Sequence, residues 1–194
     1  KEQRKAENKM DTDITTQVKN NISRMHTVGN IRMQFRNQPG AESLPVKIYT
    51  NSTGRNDFHW LKVARNSINI FFYAETVDAI TENSGSNWMR LYLNIDRNAK
   101  TGWLGYDYRV AGGDKLQKYV SGVWVDFQKT DYVVEGKKFM ITVPLTYLNL
   151  GSTNLDFEFK WSDNMQNDID PLDWYINGDV APGGRFNFLY TTSK

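Results

Sequence analysis

Four aspartates, Asp163, Asp168, Asp170 and Asp173, fall within one short stretch bounded by Trp161 and Trp174. Carboxylates serve glycoside hydrolysis when two oppose each other across a cleft and burial keeps one protonated. Carried together in one polar loop, these four fit solvated surface charge or a metal site better than a catalytic pair. A second oxygen-rich segment begins at Asn94-Ile95-Asp96-Arg97-Asn98, passes through Thr101-Gly102-Trp103 and continues into Tyr106-Asp107-Tyr108-Arg109. Asp96, Asn98 and the nearby Asp107 offer the hard oxygen ligands that suit Ca2+, which would be structural here. The same spacing also builds an Asx turn that bonds only its own backbone, and the EF-hand spacing with its bidentate Glu is missing.

Other chemistries have little to draw on. His26 and His59 are the only histidines, too few for a multi-histidine metal site and a poor start for a Ser-His-Asp triad. The absence of cysteine excludes disulfides, thiol catalysis and cysteine-based metal sites. Neither a Walker loop, nor a Gly-rich turn opening a helix, nor a basic-aromatic ribonucleoprotein signature occurs. With 24 basic and 22 acidic residues the net charge is +2, which gives no field of one sign to attract nucleic acid or a membrane surface. No apolar run reaches the ~18 residues that a membrane span needs.

The elements that must position these residues follow from periodicity. Met10, Ile14, Val18 and Ile22 recur every four residues without Pro or Gly among them, which predicts a helix over 5–24. Residues 1–41 thus form a helical extension or the end of a preceding domain, and the start at Lys1 suggests a piece of a longer polypeptide. Residues 42–194 form one β domain. There the rhythm changes to period two, with strands expected at 46–50, 60–64, 67–76, 88–95, 106–111, 116–120, 123–128, 132–135, 139–143, 155–161, 174–176 and 186–191. Short links at Ser121-Gly122 and Glu135-Gly136-Lys137 force antiparallel neighbours. Only 144–150 reads as a helical turn, so the pattern is that of an antiparallel sandwich or barrel. Aromatic residues make up 13% of the chain, enough to expose some rings for stacking on flat pyranose faces, although a β core also favours them.

Several of these segments together resemble the family 9 carbohydrate-binding modules and their DOMON-like relatives. They are Thr53-Gly54-Arg55-Asn56-Asp57, Asn87-Trp88, the run from Leu91 to Asp96, Thr101-Gly102-Trp103, the run from Gly105 to Val110, and Gly178-Asp179-Val180-Ala181-Pro182-Gly183-Gly184-Arg185-Phe186. The resemblance spans 49–190. It implies an antiparallel β-sandwich of immunoglobulin-like or jelly-roll style, structural Ca2+, and a secreted, periplasmic or cell-surface setting. It also implies binding of an oligosaccharide or polysaccharide without catalysis, beside a covalently linked glycoside hydrolase domain upstream. Trp88 matches a stacking ring and Arg109 a sugar-contacting arginine, with polar help expected from Asn87 and Asp179. The family's acidic sugar contact falls near Tyr92, and its second stacking Trp falls near Asp179-Val180, where no ring stands; Trp174 is the nearest candidate. Other readings are a structural or interaction module that has lost sugar binding, a glycosidase using 163–173, and a haem domain drawing ligands from Met33, Met89, Met140, His26 or His59.

Overall fold

A run in which every second side chain is apolar buries that face by lying flat in a sheet. The computed structural model describes residues 30–34 and 53–192, apart from 86 and 184, and within them such runs form twelve strands. They are β1 Asn30–Gln34, β2 Phe58–Arg65, β3 Asn69–Thr76, β4 Arg90–Asn94, β5 Tyr108–Ala111, β6 Lys115–Val120, β7 Val123–Lys129, β8 Asp131–Glu135, β9 Lys138–Pro144, β10 Asp156–Asp163, β11 Asp179–Ala181 and β12 Asn187–Thr191. All pair antiparallel. One sheet runs β1-β12-β10-β4-β5-β6-β7, with β11 added beside β10; the other runs β2-β3-β9-β8.

The expected hairpins are present. Ser121 and Gly122 both adopt positive φ, which joins β6 to β7 tightly, and Gly136 does the same between β8 and β9. The helical turn expected at 144–150 is a 3-10 turn at Leu145–Leu148. Among the described residues no helix is long and apolar enough to cross a membrane. The predicted helix over 5–24 and the strand at 46–50 lie outside the described residues.

Three expectations need correction. The β domain reaches upstream of residue 42, because β1 pairs with β12 along its whole length. The strand expected at 174–176 is a helical turn, α1 Asp173–Ile176, which carries Trp174 over the sheet instead of into it. A short strand, β11, follows where none was expected, since Asp179 pairs with Asp163 and Ala181 with Trp161.

The two sheets share one apolar core. Leu91 and Leu93 of β4, Val110 of β5, and Phe157, Phe159 and Trp161 of β10 meet Ile70 and Phe72 of β3 and Phe139 and Ile141 of β9. Phe72 lies edge-on to Phe157 and Phe159, at 6.0 and 5.8 Å between ring centres. Alternation sends the neighbouring residues of β4, β5 and β10 to the opposite, outer face of the large sheet. That face is covered as well: every residue of β4 is buried, and so are all but the first of β10.

Candidate functional site

On the outer face β4 presents Arg90, Tyr92 and Asn94, β5 presents Arg109, and β10 presents Glu158, Lys160 and Ser162. The β4–β5 register sets Tyr92 opposite Arg109, and the β10–β4 register sets Lys160 opposite Tyr92. Aromatic rings gather above this row. Trp103, Tyr106, Trp124 and Trp174 surround Tyr92 at 5.6, 5.3, 6.1 and 5.7 Å between ring centres. Met165 closes the group, its sulfur accepting the Tyr92 hydroxyl at 3.2 Å.

Local backbone explains how loop rings reach a strand face. Between β4 and β5 the chain turns at 102–105, where Gly102, Leu104 and Gly105 all have positive φ. The Trp103 and Tyr106 amides exchange backbone hydrogen bonds of 2.9 Å, which fixes both rings on one side. A Cβ at Gly102 would lie 2.0 Å from the Tyr106 carbonyl oxygen, so only glycine fits there. Leu104 is an exposed leucine held in the left-handed region, a costly conformation that this turn imposes. On the other side Asp173 ties the loop after β10 into shape. Its carboxylate accepts the amides of Gln166 and Asn167 and the Asn177 side chain. Burial pushes the Asp173 carboxyl upward, but these hydrogen bonds outweigh it and hold its pKa below the ordinary range.

Charged groups thread the aromatic cluster. The Arg109 guanidinium lies 4.8 Å from the Trp124 ring centre, its Nε donates to Gln117 at 2.5 Å, and its Nη2 donates to Asp168 at 2.8 Å. Arg90 donates to the other Asp168 oxygen at 2.6 Å. Lys160 sits 5.2 Å from the Trp174 ring centre and donates to the Pro182 carbonyl. Glu158 accepts amide donors from Asn94 at 3.1 Å and Asn187 at 2.8 Å, and Asn187 in turn accepts the Tyr106 hydroxyl at 2.5 Å. Buried polar atoms are nearly always paired, yet the Arg109 Nη1, the Trp124 and Trp174 Nε1 and the Ser162 hydroxyl meet no protein partner.

The residues expected to bind sugar divide between two places. Arg109 and Trp174 both belong to the outer face, joined through Tyr92. Trp88 does not. Expected as a stacking ring, it instead packs at 5.0 Å from Phe139 and 5.9 Å from Tyr132 in the core between the sheets, and its Nε1 donates to the Thr81 carbonyl at 2.9 Å. Asp179 is also displaced from the expected site. It pairs with the inward-facing Asp163 and accepts the Phe58 amide at 2.9 Å, which ties β11 to β2. Asn87 reaches the neighbouring loop, donating to Gln166 at 2.8 Å.

The oxygen-rich loop is engaged with itself. Asp96 accepts the Asn98 amide at 2.8 Å and the Thr101 hydroxyl at 2.9 Å, Asn98 accepts the Lys100 amide at 3.0 Å, and Asp107 accepts the Ile95 amide at 2.9 Å. Burial pushes the Asp107 carboxyl up, against the pull of the Ile95 amide. Among the described residues no group of three or more His, Cys, Asp or Glu side chains gathers as a metal site. The four clustered aspartates take separate tasks: Asp163 pairs with Arg55 at 2.9 Å, Asp168 bridges the two arginines, Asp170 accepts the Leu172 amide at 2.9 Å, and Asp173 shapes its loop. Met89 lies in the shared core and Met140 on the outer face of the small sheet, so the two do not share a pocket.

No protein-family model matches this chain, and neither does any curated protein or solved structure.

Sequence reasoning missed Arg90, Lys160, Trp103 and Trp124 as members of one face. A signal was available for three of them. Arg90-Leu91-Tyr92-Leu93-Asn94 and Glu158-Phe159-Lys160-Trp161-Ser162 alternate apolar residues with long polar or aromatic ones, as does Val123-Trp124-Val125. Such alternation marks a strand whose second face carries its own chemistry.

Proposed function

We propose that this chain is a non-catalytic carbohydrate-binding module and that it holds its glycan on the outer face of the large sheet. The observation that supports the reading most is Arg109 lying on the half-buried Trp124, with its Nη1 and the two indole Nε1 donors of Trp124 and Trp174 left without protein acceptors. Indole faces suit the apolar faces of sugar rings, and buried donors beside them that lack protein acceptors suit ring hydroxyls once a ligand displaces the cover over them, which is the mixed lining that small polar ligands need. The finer fold assignment, an immunoglobulin-like or jelly-roll β-sandwich related to family 9 modules, belongs with this reading. So do a secreted, periplasmic or cell-surface setting and attachment to a glycan-degrading enzyme.

A second reading, a structural or interaction module without sugar binding, draws on the closure of the cluster. Tyr92, Trp103 and Trp174 are 0, 6 and 5% exposed, so these rings also serve as a second core. Calorimetric titration with a panel of neutral and acidic oligosaccharides separates the two. Binding that Trp124→Ala weakens while the fold persists supports the module, and a null result across the panel overturns it in favour of the second reading.

A further inference from the structure

The small sheet also has an outer face, and its centre is apolar. Alternation sends Ala64 of β2, Phe71 and Tyr73 of β3, and Met140 of β9 away from the shared core, with Phe71 opposite Ala64 and Tyr73 opposite Met140. Val133 of β8 lies opposite Met140 on its other side and packs against the same cluster. Such a face meets water unless something lies on it, yet these four central residues are only 4–5% exposed. Polar neighbours in the sheet guard the rim alone: the Lys62 ammonium lies 5.6 Å from the Tyr73 ring centre, and Glu75 accepts the Tyr73 hydroxyl at 2.6 Å. Among the described residues no other element lies over this face. The large sheet packs on the opposite one, the 3-10 turn buries Leu145 and Leu148 in the shared core, and β11 is tied to β2 at Phe58.

We infer that this face is the docking surface for the N-terminal stretch of the same chain, with Met10, Ile14, Val18 and Ile22 laid against Phe71, Tyr73 and Met140. Four apolar residues at steps of four turn through about 120° of a helix, a stripe wide enough to cover a sheet face. The stretch 35–52 also lies outside the described residues, but Pro39, Gly40 and Pro45 break its apolar residues apart. Reach favours the same occupant. β1 pairs with β12, whose Tyr190 is hydrogen-bonded to Arg65 of β2, so the chain enters the large sheet close to the β2 edge of the small one. Residues 23–29 link Ile22 to β1, and seven extended residues span about 23 Å, enough to pass two packed layers of about 10 Å each. On this inference the N-terminal stretch is a third layer of the β domain and not the end of a preceding one. The inference does not depend on the glycan-binding reading.

The test uses the full chain, which has no cysteine of its own, so that Met140→Cys places a single thiol on the covered face. That thiol should react slowly with a thiol reagent, and roughly tenfold faster once Ile14→Lys and Val18→Lys are added, with circular dichroism checking the fold. If the double lysine variant fails to fold, Ile14→Ala with Val18→Ala is read in the same way. Ile14→Lys alone should lower Tm by about 5 °C, because a buried side chain is lost from a domain of this size. Thr16→Lys, on the opposite side of the predicted helix, should leave Tm nearly unchanged. A labelling rate that the stripe substitutions do not alter, or an equal loss of Tm from Thr16→Lys, would overturn the inference. So would fast labelling produced by Leu44→Lys and not by the stripe variants, which would give the face to 35–52 instead.

Discussion

Trp88 and Trp174 are both almost wholly covered, at 1 and 5% exposure, yet they sit on opposite sides of the large sheet in different company. Trp88 is packed among apolar side chains of both sheets and its indole N–H is paired with the Thr81 carbonyl. Trp174 lies against rings and the Lys160 ammonium, and its N–H meets no protein acceptor. Burial alone therefore does not separate a tryptophan of the shared core from one of the outer face in this molecule. An unmet indole N–H does not either, since that of Trp161 in the shared core also meets no protein partner; the charge beside the ring does.

The sharpest way to break the comparison is Trp88→Ala. Removing a fully packed aromatic should cost about 3 to 5 kcal/mol of stability in urea unfolding, with the loss visible in the absence of any sugar. A variant that keeps its stability and loses only binding would return Trp88 to the site. Next is Asp179→Asn, which probes the inward side through charge. Burial pushes the Asp179 carboxyl up, the Phe58 amide pulls it back, and the charges of Asp57 and Asp163 push again, leaving it at about 7. The folded state therefore holds this proton more tightly than the unfolded chain. The stability it contributes is full below the ordinary aspartate range and is lost as pH rises toward about 7. Asp179→Asn should raise Tm at pH 8 and leave it nearly unchanged at pH 4; a gain of equal size at both would show that Asp179 carries no such linkage.

Smaller effects belong to the outer face. Trp124→Ala should remove about 1 to 3 kcal/mol of glycan affinity, by analogy with flat ligands stacked on aromatics, while unfolding shifts far less than for Trp88→Ala. Smallest is the calcium response. Because Asp96 and Asn98 already accept the loop's own donors, EDTA followed by excess Ca2+ should move Tm by no more than about one or two degrees, within the scale of a fraction of a kcal/mol. A shift of ten degrees would make this loop a strong cation site.

Which parts of this were readable in the sequence follows from the range of the interactions. Strands β2 to β10 are local patterns of alternation and turn residues, and period two finds them with small errors at their ends. The 174–176 run has strand-like residues but becomes a helical turn because the Asp173 carboxylate and backbone gather the loop around themselves. The resemblance pointed to Arg109 and Trp174, and the structure sets both beside Tyr92 on the outer face. Trp88 was misplaced because its polar approach from Asn83 to Ser86 suggests a rim, whereas the strand that follows carries it inward. Trp103 and Trp124 could not be joined to them from spacing. Their meeting depends on the β4–β5–β6–β7 register and on a loop folding back from β10, which are tertiary facts.

The position of β1 sets an order in time. Among the described strands its neighbour in the large sheet is β12, with Asn30 opposite Thr191, whereas β4, β5, β6 and β7 pair with one another in chain order. Contacts between distant segments are slow to form, and domains generally form as the chain emerges from the ribosome. The meander β4 to β7 can assemble once residue 129 has emerged, while β1, made before the meander, must wait for β12, made after it. A nascent chain stalled before residue 187 should thus leave β1 open to protease while the meander is already protected.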